Sequence, residues 1–429
     1  MKVCLYIASL PEDEMPSRQF PLSIGYVAAY LERAMPDVEI KLSADIEEVI
    51  REKPDLLGIS SVSQCFNNAL VMAQRAKQDL GIPVLLGGYH ISSLPHKLSK
   101  WFDAGIIGEG EMPFLDLVRL WRQRGRFAAG DLAQIKGICF HQEDKVVISS
   151  PNDPIDPLDD LPYPKRNISP GARNIFVFSS RGCIYRCKFC ASTRHWRKFR
   201  PHSAEYFVKE LRYLQEVYQA KSIHLLDDLF FADRKRVARI IELLDEQGLL
   251  RSFSFDSFIT ANLATRETLL MAKDLGFKAI KFGAETGSDR LLKEMKGPQA
   301  SVRHHQRCID LCQELGLEVR APFMFGTPGE TLEDLEQTYQ FLKRNKGILK
   351  IHGFYLTTPV PGTPYWDFAL AKGLVSEDMD WDRLNIDYLK GQSFDLGRAI
   401  YLNEEIVPLK VLRGYIQNIL AEFEFHQLA

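Results

Sequence analysis

Three cysteines fall within eight residues of the segment SSRGCIYRCKFCASTRHW (179–196): Cys183, Cys187 and Cys190, with the aromatic Phe189 just before the third. Structural zinc wants a closed tetrahedron, normally assembled from two separated ligand pairs. No second pair follows at a fitting distance. Cys308 and Cys312 come far later, one turn apart in an apolar helical pattern that reads as core packing. His195 could complete a zinc site, yet it stands in the basic run RHWRKFR (194–200), which suits anions better. A four-iron cluster fits the ligand count: each thiolate takes one iron, and three leave one iron with an open position. Such an open iron is useful only where something binds to it.

Other polar groups stand at strand ends. Asp227 and Asp228 close the run SIHLLDD, and Glu285 closes AIKFGAE. The aspartates could accept a hydrogen bond from a ligand's ammonium or cap the helix that follows. Arg320 opens the apolar VRAPFMFG, where it could contact a carboxylate or a substrate, or form a salt-bridged strand edge. The run 194–200 reads as a solvated basic face, an anion site, or the docking surface of an electron donor such as flavodoxin or ferredoxin.

The elements that must position these groups alternate along the chain. KVCLYIA, DLLGIS and IPVLLGG read as buried strands, and LSIGYVAAYLERA and CFNNALVMAQRAKQDLG as helices. AGIIGEGEMPFLDLVRLWRQRG reads as a strand turning into a helix. This βα alternation predicts a doubly wound parallel sheet over residues 1–150, with Gly87-Gly88 and GEGE (108–111) at carboxyl ends of strands, where ligands bind in such folds. Residues 151–171, rich in proline and aspartate, read as a linker. Over 172–370 about six βα units predict a partial (β/α)6 barrel of the TIM type, with its chemistry at the carboxyl ends of the strands. Residues 371–429 read as a small, mainly helical cap. The predicted fold class is α/β: a Rossmann-like domain, the partial barrel and the helical C-terminal region.

Bulk properties exclude other classes. A net charge of −2 gives no basic footprint for nucleic acid, and no uncharged apolar run of spanning length exists. The opening MKVCLYIASLPEDEMPS turns acidic after a short apolar run, unlike a secretory signal. Eight cysteines in 429 residues are too sparse for a disulfide scaffold, and a cytoplasmic location is expected.

CIYRCKFC resembles the CxxxCxxC motif of the radical S-adenosylmethionine (SAM) superfamily, placed as in that family after the first strand of a βα array. LLDDLFFADRKRV, FGAETGSDRLLKEMKG, MFGTPGETLEDLEQT and TPVPGTPYW are similar to motifs of the branch in which a cobalamin-binding domain precedes the barrel. PLSIGYVAAYLE, LLGGYH and IIGEGEMPFLDLV resemble that domain, so the resemblance spans about residues 1–370. It implies a [4Fe-4S] cluster on Cys183, Cys187 and Cys190. The open iron would chelate SAM, and an electron would cleave the sulfonium to a 5′-deoxyadenosyl radical. Asp227 or Asp228 would accept from the SAM ammonium, and Glu285 would face the cofactor. Ser60, Ser61, Gly87, Gly88, His90 and Glu109 are the cobalamin contact candidates, with Ser60, Ser61 and His90 bonding the corrin's amide side chains. No DxHxxG motif occurs, so cobalt would lack a histidine on its lower face, unless side chains such as Phe20, Tyr26 and Tyr89 fill the crevice.

The expected activity is cobalamin-dependent methylation of an unactivated carbon in a small molecule. The alternatives are a cobalamin-free dehydratase, cyclase or rearrangement enzyme with a relic N-terminal domain, or a non-catalytic metal-binding protein. The polar stretch GQSFDLGRAIYLNEE and the C-terminal helix are expected to shape the substrate pocket.

Overall fold

The computed structural model describes residues 1–9, 21–168, 174–385 and 396–423; Phe20 and the first five residues of GQSFDLGRAIYLNEE, 391–395, lie outside them. The chain forms two compact units, Met1–Ser169 joined by Glu377–Asp382, and Pro170–Ser376 joined by Arg383–Ala429.

In the first unit β1 (Lys2–Ile7), β2 (Glu39–Ser43), β3 (Leu56–Ser60), β4 (Val84–Gly87) and β5 (Ala104–Ile106) run parallel in the order 2-1-3-4-5. That order reverses direction at β1/β3, the doubly wound pattern. The antiparallel β6 (Ile138–Gln142) and β7 (Lys145–Ile148) extend the edge beyond β5. β1 and β3 are nearly unbroken apolar runs because parallel strands are covered on both faces. Helix α1 (Leu22–Ala34) turns Ile24, Ala28 and Leu31 onto Val3 and Leu5, beside Phe114 and Val118 of α2 (Glu111–Arg124). The stretch read as a linker packs on this unit: Leu158 and Leu161 are buried, and the Lys165 N–H donates to the Gly25 carbonyl at 2.9 Å.

The second unit begins with β8 (Asn174–Val177), followed by the short β9 (Ser180–Arg181) and β10 (Arg200–Pro201). Then come β11 (Ser222–Leu225), β12 (Ser254–Asp256), β13 (Phe258–Ile259), β14 (Ala279–Phe282), β15 (Glu318–Phe325) and β16 (Leu349–Leu356). β8, β11 and β12 form one parallel sheet, and β13 to β16 a second. With β12 and β13 as two halves of one strand broken at Ser257, there are six strand positions in sequential order, as the six βα units predict. The helices are α3 (Ala204–Tyr218), α4 (Arg234–Glu246), α5 (Arg266–Leu275), α6 (Asp289–Lys296), α7 (Val302–Leu315), α8 (Leu332–Arg344) and α9 (Pro364–Ala371). Each starts on a Ser, Thr or Asp cap whose side chain accepts a first-turn N–H, from Ser203 through Thr363.

Along β15, Val319, Ala321, Phe323 and Phe325 are buried, and the Phe323 ring lies 6.3 Å from Phe341 of α8, so this face meets the helices. The two-residue period turns Glu318, Arg320, Pro322 and Met324 toward the lumen. The last helix, α10 (Leu409–Glu422), lies against α8, where the Tyr415 hydroxyl donates to the Leu335 carbonyl and Tyr339 to Glu422, both at 2.7 Å.

Gly88 has φ +95° and ψ −172°, a region reserved for glycine, and a Cβ there would stand 2.5 Å from the Ser61 carbonyl oxygen. Gly88→Ala should therefore lose about 1–3 kcal/mol or more in urea unfolding. Gly125→Ala, left-handed (φ +63°) but with nothing within 4 Å, should lose less; equal losses would contradict the close approach at Ser61.

Candidate functional site

The cysteines sit on a loop that the fold closes on itself. β9 pairs with β10 antiparallel, Arg181 opposite Arg200, so residues 182–199 leave and return at one point. Gly182 opens the loop at φ +87°, and the Lys198 carbonyl oxygen lies 2.6 Å from where a Cβ would be. Only glycine lets the two ends approach so closely. The Arg181 guanidinium covers the Trp196 ring at 5.2 Å. Inside the loop the Cys190 N–H donates to the Cys187 carbonyl, and the Lys188 N–H to the Met295 carbonyl of α6 at 2.8 Å. Phe189 is half-buried between these two anchors.

Cys183, Cys187 and Cys190 are free and half-buried. Burial pushes all three thiols up, Cys187 to about 12, and each feels its neighbours' charge. A metal reverses that balance, because a coordinating thiol loses its proton. Among the described residues, no group of three or more His, Cys, Asp or Glu is compact enough to share one ion. Three thiolates of a four-iron cluster hold three different irons, so a wider arrangement suits it. The donor set fits the cluster.

The two aspartates at the end of β11 have different surroundings. Asp227 is 5% exposed; its Oδ1 accepts the Ser179 N–H and its Oδ2 the hydroxyls of Ser179 and Ser180, all at 2.6 Å. Burial raises its carboxyl, and the Arg236 charge and serine donors oppose that rise. Arg236 in turn donates to the carbonyls of His202 at 2.7 Å and Ser179 at 2.9 Å. Asp227 thus locks the start of the cluster loop, with three donors already on its carboxylate. Asp228 accepts from the Ser192 hydroxyl within the loop, and its charge reaches Cys183 and Cys190. It is the aspartate that faces the thiols.

Glu285 is 7% exposed and left-handed, φ +62°. For a residue with a Cβ that conformation costs about 1–2 kcal/mol. It is held by β15: the Glu285 N–H donates to the Pro322 carbonyl at 3.1 Å, and its carbonyl accepts from Met324 at 2.8 Å. The carboxylate meets Lys296 Nζ at 3.2 Å, and Lys296 also donates to the Gly283 carbonyl at 2.8 Å. A Cβ on Gly283 would lie 2.2 Å from Glu285 Oε1, so the glycine makes room for the carboxylate. Both charges of this pair are felt at Cys187. A cavity of about 20 Å³ adjoins Cys187, Gly283 and Lys296, with the partnerless Thr260 Oγ1 and His305 Nδ1 on its wall, room for one water. A larger cavity of about 560 Å³ opens beside Lys188, Gly329, Tyr365 and Tyr401–Ile406, so residues 401–405 of the polar C-terminal stretch line a pocket. Arg320 stands apart from the mouth, in the lumen, bonded through Nε to Glu318. The ion pair to Glu318 matches the salt-bridged strand edge among its readings.

In the first unit the Ser61 hydroxyl donates to the Val62 carbonyl, and the Ser61 carbonyl accepts the His90 N–H at 3.2 Å. His90 is 1% exposed, stacked on Phe66 at 3.7 Å, edge-on to Trp381 at 4.6 Å, and bonded through Nδ1 to Ser63 Oγ. Burial lowers its pKa to about 3, so it stays neutral. Ser61 and His90 are thus buried and bonded within the first unit. Ser60, Gly87 and Glu109 are half-buried at the strand ends, and a Cβ at Gly87 or Gly108 would find nothing closer than 3.9 Å. Trp381 arrives on the strap 377–382, fastened by Glu377 to His96 (2.9 Å) and Asp378 to Lys97 (2.6 Å). Sequence reading missed Lys296, Arg236, the three serines and this strap; a glutamate with lysine eleven residues on carries no periodic signal.

Removing the Asp227 carboxylate would leave three donors without their acceptor and the buried Arg236 without the negative charge opposite it. Asp227→Ala should cost about 3–5 kcal/mol in chemical denaturation; a loss under about 1 kcal/mol would show that the serines and Arg236 are satisfied without it.

Comparison with known proteins agrees with this geometry. Residues 177–342 match the Radical SAM superfamily and residues 13–118 the B12 binding domain. The chain is 30% identical to an uncharacterized methyltransferase of Pyrococcus horikoshii, over 89% of this chain and 86% of the relative. It is 27% identical to the anaerobic magnesium-protoporphyrin IX monomethyl ester cyclase of Rubrivivax gelatinosus, over 89% and 71%. The fold resembles that of the radical SAM methyltransferase TsrM of Kitasatospora setae, solved with cobalamin and a [4Fe-4S] cluster, with TM-score 0.73 and 17% identity over 99% of this chain and 89% of that one. The chain belongs to the radical SAM superfamily, as a member with a B12-binding domain ahead of its barrel.

Proposed function

We propose that the chain is a radical SAM enzyme that methylates an unactivated carbon of a small molecule, with cobalamin as methyl carrier. The observation that carries this reading is the closed loop of three free thiols at the mouth of a six-stranded partial barrel, in a chain that also has the B12-binding domain. When bound, the cluster supplies an electron to SAM and the corrin carries the methyl group. Cys183, Cys187 and Cys190 hold three irons. Asp228 accepts from the SAM ammonium, and the Glu285–Lys296 pair sets the charge beside Cys187. Arg194, Arg197 and Lys198 are exposed on the loop, where an acidic electron donor such as flavodoxin or ferredoxin would dock. No helix among the described residues is long and apolar enough to cross a membrane. A reducing cytoplasm suits both the free thiols and such a donor.

The open edge at Gly87 and Gly108 suits a macrocycle approached by backbone. Because His90 is buried, none of its ring atoms is offered to cobalt. The second reading, a cobalamin-free cyclase or rearrangement enzyme, is favoured by the Phe66–His90–Trp381 stack that fills the unit beside β3 and β4.

Three experiments test the reading, and the second separates it from the cobalamin-free one. Reconstituted wild type should show iron–sulfur absorbance that a triple Cys183→Ala, Cys187→Ala, Cys190→Ala variant lacks. After loading with hydroxocobalamin and desalting it should retain about one corrin per chain, as a single crevice requires; total loss selects the cobalamin-free reading. Asp228→Ala should keep the cluster but bind SAM about ten- to a hundredfold more weakly, the worth of one charged hydrogen bond. Unchanged SAM affinity would confine Asp228 to holding Ser192.

A further inference from the structure

The lumen of the barrel is charged where a TIM barrel packs bulky branched side chains. On β14 the Phe282 ring meets His305 of α7 at 5.2 Å, which turns its neighbour Lys281 inward. Lys281, with 2% of its side chain exposed, bonds Asp256 Oδ2 at 2.5 Å, and His224 Nδ1 meets the same oxygen at 2.9 Å. Lys281 is in register with Arg320, and Arg320 with Lys350. Arg320 and Lys350 converge on one carboxylate, Glu318. One layer of the lumen thus holds three cations against two carboxylates, with the surplus on the β15–β16 side.

Two further features single out that side. Arg320 uses only its Nε; among the described residues its two terminal amino groups donate to nothing, leaving the planar fork that binds oxyanions in pairs. The side chains of Glu318, Arg320 and Lys350 are 27%, 28% and 37% exposed, so this part of the lumen is open to solvent. In the 560 Å³ cavity each lysine has a carboxylate of its own, Lys188 with Glu294 and Lys372 with Glu405, whereas Arg320 and Lys350 share one.

We propose that the lumen is the receptor for an anionic end group of the substrate, a carboxylate or phosphate, held by the Arg320 fork and Lys350. This rests on the reading that a small molecule reacts at the barrel mouth, and it names that molecule's chemistry. Glu285 at the mouth bridges Phe323, three residues beyond Arg320, so the anion sits roughly 10 Å below the mouth at the rise of a strand. The substrate therefore carries its reacting carbon about that far from its negative end. Glu318 occupies the cations when the site is empty and yields them to the ligand.

The test is calorimetric titration of the reconstituted protein with inorganic phosphate and with glutarate, at constant ionic strength and without turnover. Wild type should bind one of the two, which identifies the end group. Arg320→Met should weaken that binding about ten- to a hundredfold. Glu318→Gln, which releases both cations, should tighten it. If wild type binds neither anion, or Arg320→Met binds as well as wild type, the proposal falls. If Arg320→Met does not fold, Glu318→Gln decides alone, and the absence of tightening overturns the proposal. A failed methyl transfer would instead appear as missing S-adenosylhomocysteine with anion binding intact, so the two failures are distinguishable.

Discussion

The site depends on the closure of one loop. Two backbone pairs between β9 and β10, the glycine conformation at Gly182 and the saturated carboxylate of Asp227 fix both ends of residues 182–199 at the carboxyl end of β8. Without that closure three cysteines close in sequence would be three independent thiols on a mobile loop, and ordering them would cost conformational entropy for every residue between them. Closure makes the donor set exist before any iron arrives. The two aspartates divide the work: Asp227 accepts from the Ser179 N–H and two hydroxyls that hold the loop's start, while Asp228 is the one whose charge reaches Cys183 and Cys190.

The same division of labour runs through the barrel. One face of each strand is apolar and covered by helices, and the other carries function. On β15 the split is complete, with Val319, Ala321, Phe323 and Phe325 against the helices and Glu318 and Arg320 in the lumen. Stability therefore rests on the outer face, which leaves the lumen free to hold charges that no packed barrel core would tolerate. Left-handed Glu285 marks the join between the two. Its backbone is pinned by β15, while its carboxylate, seated in the space that Gly283 leaves, meets Lys296. Strain of that kind persists where surrounding structure over-determines it, and it clusters at functional sites.

Much of this was legible in the sequence. α1 begins and ends where LSIGYVAAYLERA places it, and the six barrel strand positions match the six βα units read over 172–370. The cysteine spacing pointed to the loop that the fold closes. What escaped depends on tertiary arrangement. β2 and the β6–β7 hairpin are short and partly exposed, with weak apolar runs. Nothing in the pair Asp227-Asp228 tells which carboxylate is consumed, because that depends on serines forty-eight residues earlier. The strap 377–382 joins the first unit across nearly the whole chain, and α10 packs on α8. The lumen charges did leave a trace: Lys281, Arg320 and Lys350 are cations inside apolar strand patterns, but a periodicity that marks a strand does not say which face is wet.

The central claim is that three thiolates hold a cluster whose remaining iron is open to SAM. Electron paramagnetic resonance of the reduced, reconstituted protein, recorded with and without SAM, tests it most directly. The account predicts a reduced four-iron signal that shifts when SAM is added, because SAM occupies the iron that no cysteine reaches. A four-iron signal indifferent to saturating SAM would mean that the fourth position is already filled, and would contradict the account.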